Sequence, residues 1–460
     1  MSTLHQILLQ PTDVLFFRDG RPMTGSLAGH GAAWPLPHVI NAAFHAALHR
    51  SGFAKDAHSH RRGGRGVYAG DAERDRKFGS LITAGPFPVK DRQTWFFPRP
   101  QDLQDATLQP TLLPAASIGC AQSSLPHPLQ CAVANRRPTT KESEAKAWLS
   151  RQAFETYLGT TKSAVPATQL SGHALEDSDL FDCEHTIGIG IDPETGSQDG
   201  QSLYSAHYLR LRDNWQLGVC AAAEDKAFSH PQHKNDLVQA LFNGGQHQIT
   251  VGGQQRICSA ASVAGAALPL PHGRAGDFRE HEGKFLVKWI LLTPAVWPTI
   301  AADAERHINA QPGGWLPNWI DPQTGAVLLK AGDTTRHERE SREAWRQRVR
   351  QQVSISAKLV AAIVPKPLVV SGWALPDEAA GELGGAQSVH LAVPAGAVYY
   401  LEATTKTEAE NLAAALNWHG RDNKPTTIKN RRSTLLGEKG YGLGVCGTWS
   451  FFPEAANTIR

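Results

Sequence analysis

The chain has 460 residues, with 46 Lys plus Arg against 43 Asp plus Glu and a net charge of +3 at neutral pH. That length exceeds one ordinary core and favours two units with insertions. The near-balanced charge excludes a histone-like positive blanket but leaves room for a local basic groove.

Residues 4–17 are apolar and β-prone, interrupted at Thr12-Asp13, and lead into the motif FFRDGRP at 16–22. A strand or bent hairpin edge is expected there, ending in a turn that presents Arg18 and Arg21 on either side of Asp19-Gly20. Ile40, Ala43, Phe44, Ala47 and Leu48 then recur at helical spacing over 38–50, with Pro35 and Pro37 fixing the entry. The polar, glycine-rich stretch 55–79 reads as a loop. Short strands with Pro and Gly punctuation, including AGPFP at 84–88, follow over 80–115. A helix over 140–158 gathers Trp148, Leu149, Ala153 and Tyr157 on one side. TIGIGI and YSAHYLRL predict a long hairpin within 185–220, turning at 194–202. The turn-like VGGQQR occupies 251–256.

The loop-like segment 265–283 is the expected boundary between a first unit, 1–270, and a second, 283–460. The second opens on the strand-like FLVKWILL. Its very charged stretch 334–352 reads as a solvated helix or an insertion. SVHLAV (388–393) and GAVYYLEA (396–403) predict a hairpin bent at Pro394-Ala395. Thr407 and Glu410 have capping-box spacing, and Ala409, Leu412, Ala413 and Leu416 form the stripe of a helix that Gly420 stops. A glycine-rich loop, EKGYGLGVCGTW at 438–449, precedes a last strand. The count is an α+β, βαββαβ ferredoxin-like unit with one sheet face free.

For chemistry, no GxSxG, HExxH or Walker A loop occurs. The six cysteines lack paired or CxxC spacing and read as reduced thiols, not a zinc site. No leader and no apolar run near eighteen residues is seen, so a soluble cytoplasmic protein with no membrane contact, cofactor or metal is expected. His45 and His49, four apart on the first helix, have a spacing that could bind metal or supply a base, although two solvated histidines on a helix edge is the preferred reading. Binding is better supported. Arg18, Arg21, Arg256, Lys429, Arg431, Arg432 and Lys439 lie in or beside loops. Several adjoin glycines (Gly252, Gly253, Gly440, Gly442, Gly444) whose bare backbone suits phosphate oxygens. Phe16, Phe17 and Tyr441 are candidate stacking faces, although one of the two phenylalanines must enter the core if they sit in a strand.

The ordered set FFRDGRP, GPFP with WFFPRPQDL, IGIGID…LYSAHYLRL, VGGQQR, LLTPA, SGWAL, PAGAVYYLE and GYGLGVCG resembles the third subunit of the Cmr complex, the type III-B CRISPR effector. That family belongs to the RAMP superfamily and is related to the fifth Cas protein group. The resemblance runs from residue 12 to about 450, without segments 104–180 and 300–360. It implies two facing ferredoxin-like (RRM-type) domains with insertions at about 55–79, 104–180 and 300–360. The cleft between them would hold the repeat-derived 5′ handle of the CRISPR RNA, the target RNA being met only indirectly. It also implies a non-catalytic subunit bridging the large polymerase-like subunit and the backbone filament in antiviral defence.

On the matching positions the resemblance implies one RNA-binding loop at Arg18, Asp19, Gly20 and Arg21 and a second at Gly252 and Gly253, to which the basic residue Arg256 is added as a candidate. Gly440, Gly442 and Gly444, with Arg431, Lys439 and Tyr441, form the third. Gln254 stands where the family expects an acid, and Met23 where an aromatic is more usual. Two alternatives remain open: a metal-independent endoribonuclease processing CRISPR RNA with His45 as general base, and a purely architectural subunit.

Overall fold

The computed structural model describes residues 4–18, 27–28, 34–51, 81–104, 107–116, 125–136, 146–161, 164–192, 194–224, 235–243, 245–263, 267–305, 308–332, 334, 337, 340–374 and 385–453. Asp19, Gly20, Arg21, Met23 and the 55–79 stretch lie outside them. The chain is mixed helix and sheet, and its two main sheets are antiparallel.

The first sheet has eight strands. At its centre, in spatial order, lie Ile257–Val263, His5–Pro11, Trp215–Ala222 and Ile82–Lys90, so the chain-order sequence is 4-1-3-2. Side-chain alternation then decides the faces. Ile7 and Leu9 join Leu217, Val219 and Ala221 against the helix Pro37–Arg50, through its Ile40, Phe44, Ala47 and Leu48. Leu8, Cys220 and Ala222 point the other way. All eight residues of Trp215–Ala222 are buried, as a strand covered on both faces requires.

The second sheet repeats the order 4-1-3-2 with Gly444–Thr448, Lys284–Leu291, Val398–Ala403 and Ala357–Ile363. Val287, Trp289, Leu291, Tyr399 and Leu401 meet Ala409, Leu412, Ala413 and Leu416 of the helix Lys406–Leu416. The opposite face is not free, contrary to the sequence expectation. Leu286, Ile290, Val398, Tyr400 and Val445 join Phe87, Phe97, Phe154 and Leu158 of the first unit in one apolar cluster. Each such side chain contributes roughly 1.5–3 kcal/mol when fully buried, and an exposed sheet face of this composition would forgo that. The layers therefore run helix, sheet, sheet, helix, with the helix Arg151–Leu158 in the seam.

One ion pair is sealed in that seam. Lys288 Nζ lies 2.6 Å from Asp102 Oδ2, and both side chains are essentially inaccessible. Tyr157 donates its hydroxyl to the same carboxylate at 2.8 Å, and the ammonium sits 4.0 Å from the Tyr157 ring centroid. Burial pulls the Lys288 pKa down, and Asp102 opposes the shift.

A third, smaller sheet holds the hairpin Phe181–Ile191 and Gln198–Leu211, against which Leu15–Phe16 pairs. The turn falls at 192–197, slightly before the expected position. Ile187, Ile189 and Ile191 are exposed along one side of it.

Several local expectations change. Residues 148–150 form a strand before the helix begins at Arg151. His390–Ala392 pairs with Leu368–Val370, not with Val398–Ala403, so the expected hairpin at Pro394-Ala395 does not form. The second strand of that unit is instead Ala357–Ile363. The last helix is capped by Thr405, whose hydroxyl accepts from the Glu408 N–H, and ends at Asn417 before Gly420 is reached. The charged stretch does contain a helix, Arg342–Gln351, with no buried residue.

Candidate nucleic-acid interface

The FFRDGRP and VGGQQR motifs, some 235 positions apart, fold against each other. The N–H of Gly253 donates to Phe16 O at 2.9 Å. A Cβ on Gly253 would lie 2.7 Å from the Phe16 ring, and one on Gly252, at φ +79°, 2.5 Å from Phe16 O. The glycines are thus required by close approach and by turn geometry. Phe17 is buried and Phe16 half-buried, its ring 5.5 Å from that of Tyr208 on the hairpin. Arg18 emerges exposed from this junction.

Arg256 is held beside it. Its guanidinium stands 5.1 Å from the Tyr208 ring centroid, donates to Gln254 Oε1 at 3.2 Å, and is 3.7 Å from Asp13. Tyr208 donates its hydroxyl to the same Gln254 oxygen at 3.1 Å. Asp13 is shared with Arg210 at 3.0 Å, and Arg210 also pairs with Glu184. Sequence reasoning missed Tyr208, Arg210 and Asp13. The strand alternation in YSAHYLRL carries the signal for the first two, because residues 208 and 210 share a face.

The third predicted cluster is placed differently. Gly440, Tyr441, Gly442 and Gly444 are all buried. A Cβ on Gly440 would lie 2.8 Å from Thr83 O of the first sheet, and one on Gly444 would enter the Trp289 indole. Gly442 donates its N–H to Pro294 O at 2.7 Å. Tyr441 is 0 % exposed and its hydroxyl bonds His38 Nδ1 at 2.7 Å. The expected stacking face at Tyr441 is therefore corrected: the ring is part of the packing between the first helix and the glycine-rich loop.

Lys439 is half-buried in a short turn of 3-10 helix. Burial pushes the Arg431 guanidinium down to about 10, opposed by Glu438, and its Nε and one terminal nitrogen have no hydrogen-bond partner among the described residues. The first helix links the clusters: Pro37 and His38 touch the glycine-rich loop, and Arg50 donates to Thr250 just before VGGQQR. Its 14 residues set the two ends about 21 Å apart at roughly 1.5 Å per residue.

The cleft between the two units, about 460 Å³, is lined by Trp34, Phe87, Trp148 and several prolines and, among the described residues, by no charged side chain. His45 and His49 face each other with ring centroids 4.8 Å apart. No cluster of three or more His, Cys, Asp or Glu suited to a metal occurs among the described residues. Cys220 and Cys258 are buried, which pushes their thiols up to about 12. No described helix is long and apolar enough to cross a membrane.

A sheet-built scaffold that presents arginines and a bare glycine turn on one surface fits the class of protein to which the sequence comparison leads. The family described as CRISPR-associated protein (Cas_Cmr3) matches residues 7–449. The chain belongs to this Cas_Cmr3 family, and with it to the subunits of type III CRISPR effector complexes.

Among solved structures, the chain is similar to a chain of the type III-B Cmr-β complex bound to cognate target RNA, at 13% identity and TM-score 0.37, covering 86% of each chain. It is likewise similar to that complex bound to target RNA and AMPPnP, at 14% and 0.37, again covering 86% of each. A third is the Csm3–Csm4 subcomplex of a type III-A interference complex, at 7% and 0.34, covering 86% of this chain and 92% of that one. A comparison with curated protein sequences finds no match.

Proposed function

We propose that the chain is a non-catalytic RNA-binding subunit of a type III-B CRISPR effector ribonucleoprotein. In this reading it holds the repeat-derived 5′ handle of the CRISPR RNA and bridges the large polymerase-like subunit and the backbone filament. It binds and positions, and makes or breaks no bond.

The observation that carries the RNA reading is the convergence of Arg18 and Arg256 with the exposed Gly252-Gly253 turn. Guanidinium donors beside an exposed turn with no side chains to block approach are what phosphate oxygens need, and the Phe16–Tyr208 pair borders them with aromatic surface. Two ferredoxin-like units are part of the proposal. The repeated order 4-1-3-2 supports them, with one departure: the first crossover of the second unit carries the solvated helix Arg342–Gln351 in place of a packed one.

The test is handle RNA binding by the full chain, followed by anisotropy across a salt series. Arg18→Ala combined with Arg256→Ala should weaken binding about tenfold at physiological salt and lower the log–log salt slope by roughly 1.4, about 0.7 for each phosphate that is no longer neutralised. Unchanged affinity and slope would overturn the site. Repeat RNA incubated with the pure protein should stay intact, and cleavage would overturn the non-catalytic assignment.

A further inference from the structure

The second unit carries a polar cleft that the Arg18–Arg256 surface does not use. It measures about 660 Å³ and opens beside the C-terminal end of the Lys406–Leu416 helix, walled by residues 329–332 and 334, the last turns of that helix, residues 419–422 and residues 429, 430 and 432. Among the described residues four cations line it, Lys330, Arg421, Lys429 and Arg432, against one carboxylate, Asp422.

Two of the lining groups are under-compensated, the buried His419 and the half-buried Arg432. Arg432 donates through Nε to Ala415 O at 2.7 Å and through a terminal nitrogen to Asn430 Oδ1 at 3.2 Å. Neither acceptor is charged, and burial alone pushes this guanidinium down to about 10. A buried cation with only neutral acceptors favours an anion nearby. His419 is 2 % exposed, and its Nε2 accepts the Gly273 N–H at 3.1 Å. A neutral ring must then carry its proton on Nδ1, which is buried with no hydrogen-bond partner among the described residues.

A helix C-terminus by itself repels anions, but this one is covered. Asn430 Nδ2 donates to Ala414 O at 2.8 Å and Asn417 O at 2.7 Å, and Arg432 takes the Ala415 carbonyl. Asp422 is engaged by the Lys424 N–H at 2.9 Å.

We infer that this cleft is a second phosphate-binding site, with Arg421 and Lys429 at its exposed rim and Arg432 and His419 at its buried wall. The choice of a phosphate ligand rests on the RNA-binding reading above. The phosphate belongs either to an RNA backbone or to a free nucleotide.

The variant is Arg421→Ser with Lys429→Ser in the full chain, since both side chains are exposed and their removal leaves the buried wall intact. Inorganic pyrophosphate binding is measured by calorimetry, and binding of a labelled short uridine oligomer by anisotropy across salt. The wild type should bind pyrophosphate and the variant at least about tenfold more weakly, because two charge-assisted hydrogen-bond donors are gone. An oligomer that competes with pyrophosphate, with a salt slope reduced by roughly 1.4 in the variant, identifies RNA backbone as the ligand. Pyrophosphate binding that the oligomer does not displace identifies a free nucleotide phosphate. Equal affinity in wild type and variant, or no pyrophosphate binding to the wild type, overturns the site. Arg18→Ala with Arg256→Ala should leave the Arg421- and Lys429-dependent share of pyrophosphate binding unchanged whatever it does to handle RNA, so the two proposals fail separately.

Discussion

Gln254 stands where the resemblance leads one to expect an acid, and its neighbours explain the consequence. Its amide oxygen accepts from both Arg256 and Tyr208, so it orients the guanidinium as a carboxylate would but without neutralising it. Among the described residues that leaves Arg256 with the shared Asp13 as its counter-charge. The arginines and glycines of this site were legible as residue types beside loops. Their partners were not, because Tyr208 and Asp13 reach Arg256 only through strand pairing. At the same scale, His419 predicts a pH dependence. Burial, reinforced by His272 with its ring 4.7 Å away, holds its pKa down to about 4, against opposing contributions from Asp422 and Gly273. Between about 4 and the ordinary value near 6.5 the unfolded state binds the extra proton. Stability therefore rises with pH across that window and is lost as pH falls through it, by roughly 3 kcal/mol at about 1.4 kcal/mol per unit. In denaturant melts, His419→Gln should remove most of that loss relative to wild type, and identical pH profiles would contradict the assignment.

At the scale of the element, the glycine-rich loop is a packing device in the folded chain. Gly440 admits the first sheet, Gly442 the Ser433 backbone and Gly444 the Trp289 indole. Gly444→Ala should cost about 1–3 kcal/mol by overpacking, seen as a lower denaturation midpoint with an unchanged slope. Handle-RNA affinity of the folded fraction should be unaltered, whereas a specific loss of RNA binding at full stability would return the loop to the interface. Helices with a strong stripe were read closely: every residue predicted for Lys406–Leu416 faces the core. Its cap was misread because Thr405 with Glu408 and Thr407 with Glu410 share one spacing, and only the backbone entry separates them. The predicted hairpin at 388–403 failed for a related reason. Both segments are strands, but alternation says nothing about which strand each one joins.

At the scale of the molecule, the seam between the two units is both an apolar contact and a place where charge is sealed. Removing one partner of the Lys288–Asp102 pair leaves the other buried and unpaired. Lys288→Met should therefore destabilise by about 3–5 kcal/mol. The triple change Lys288→Met, Asp102→Leu, Tyr157→Phe, which also retires the hydroxyl donor, should recover most of it. A chemical-denaturation cycle measures both, and a mild effect of Lys288→Met alone would mean that the pair is hydrated.

The sequence by itself determined the periodic parts of this protein: the first and last helices, the long hairpin, the solvated charged helix and the motifs that mark the family. Each depends on neighbours within a few residues, so spacing alone carries the information. Only the tertiary structure decided that the second sheet's other face is buried, that Tyr441 is core, and that Arg18 and Arg256 share a surface while Lys429 and Arg432 line another. Those outcomes depend on which distant strands pair and which faces meet. Hydrophobic burial selects among those arrangements over the whole chain at once, and no local window of residues records the choice.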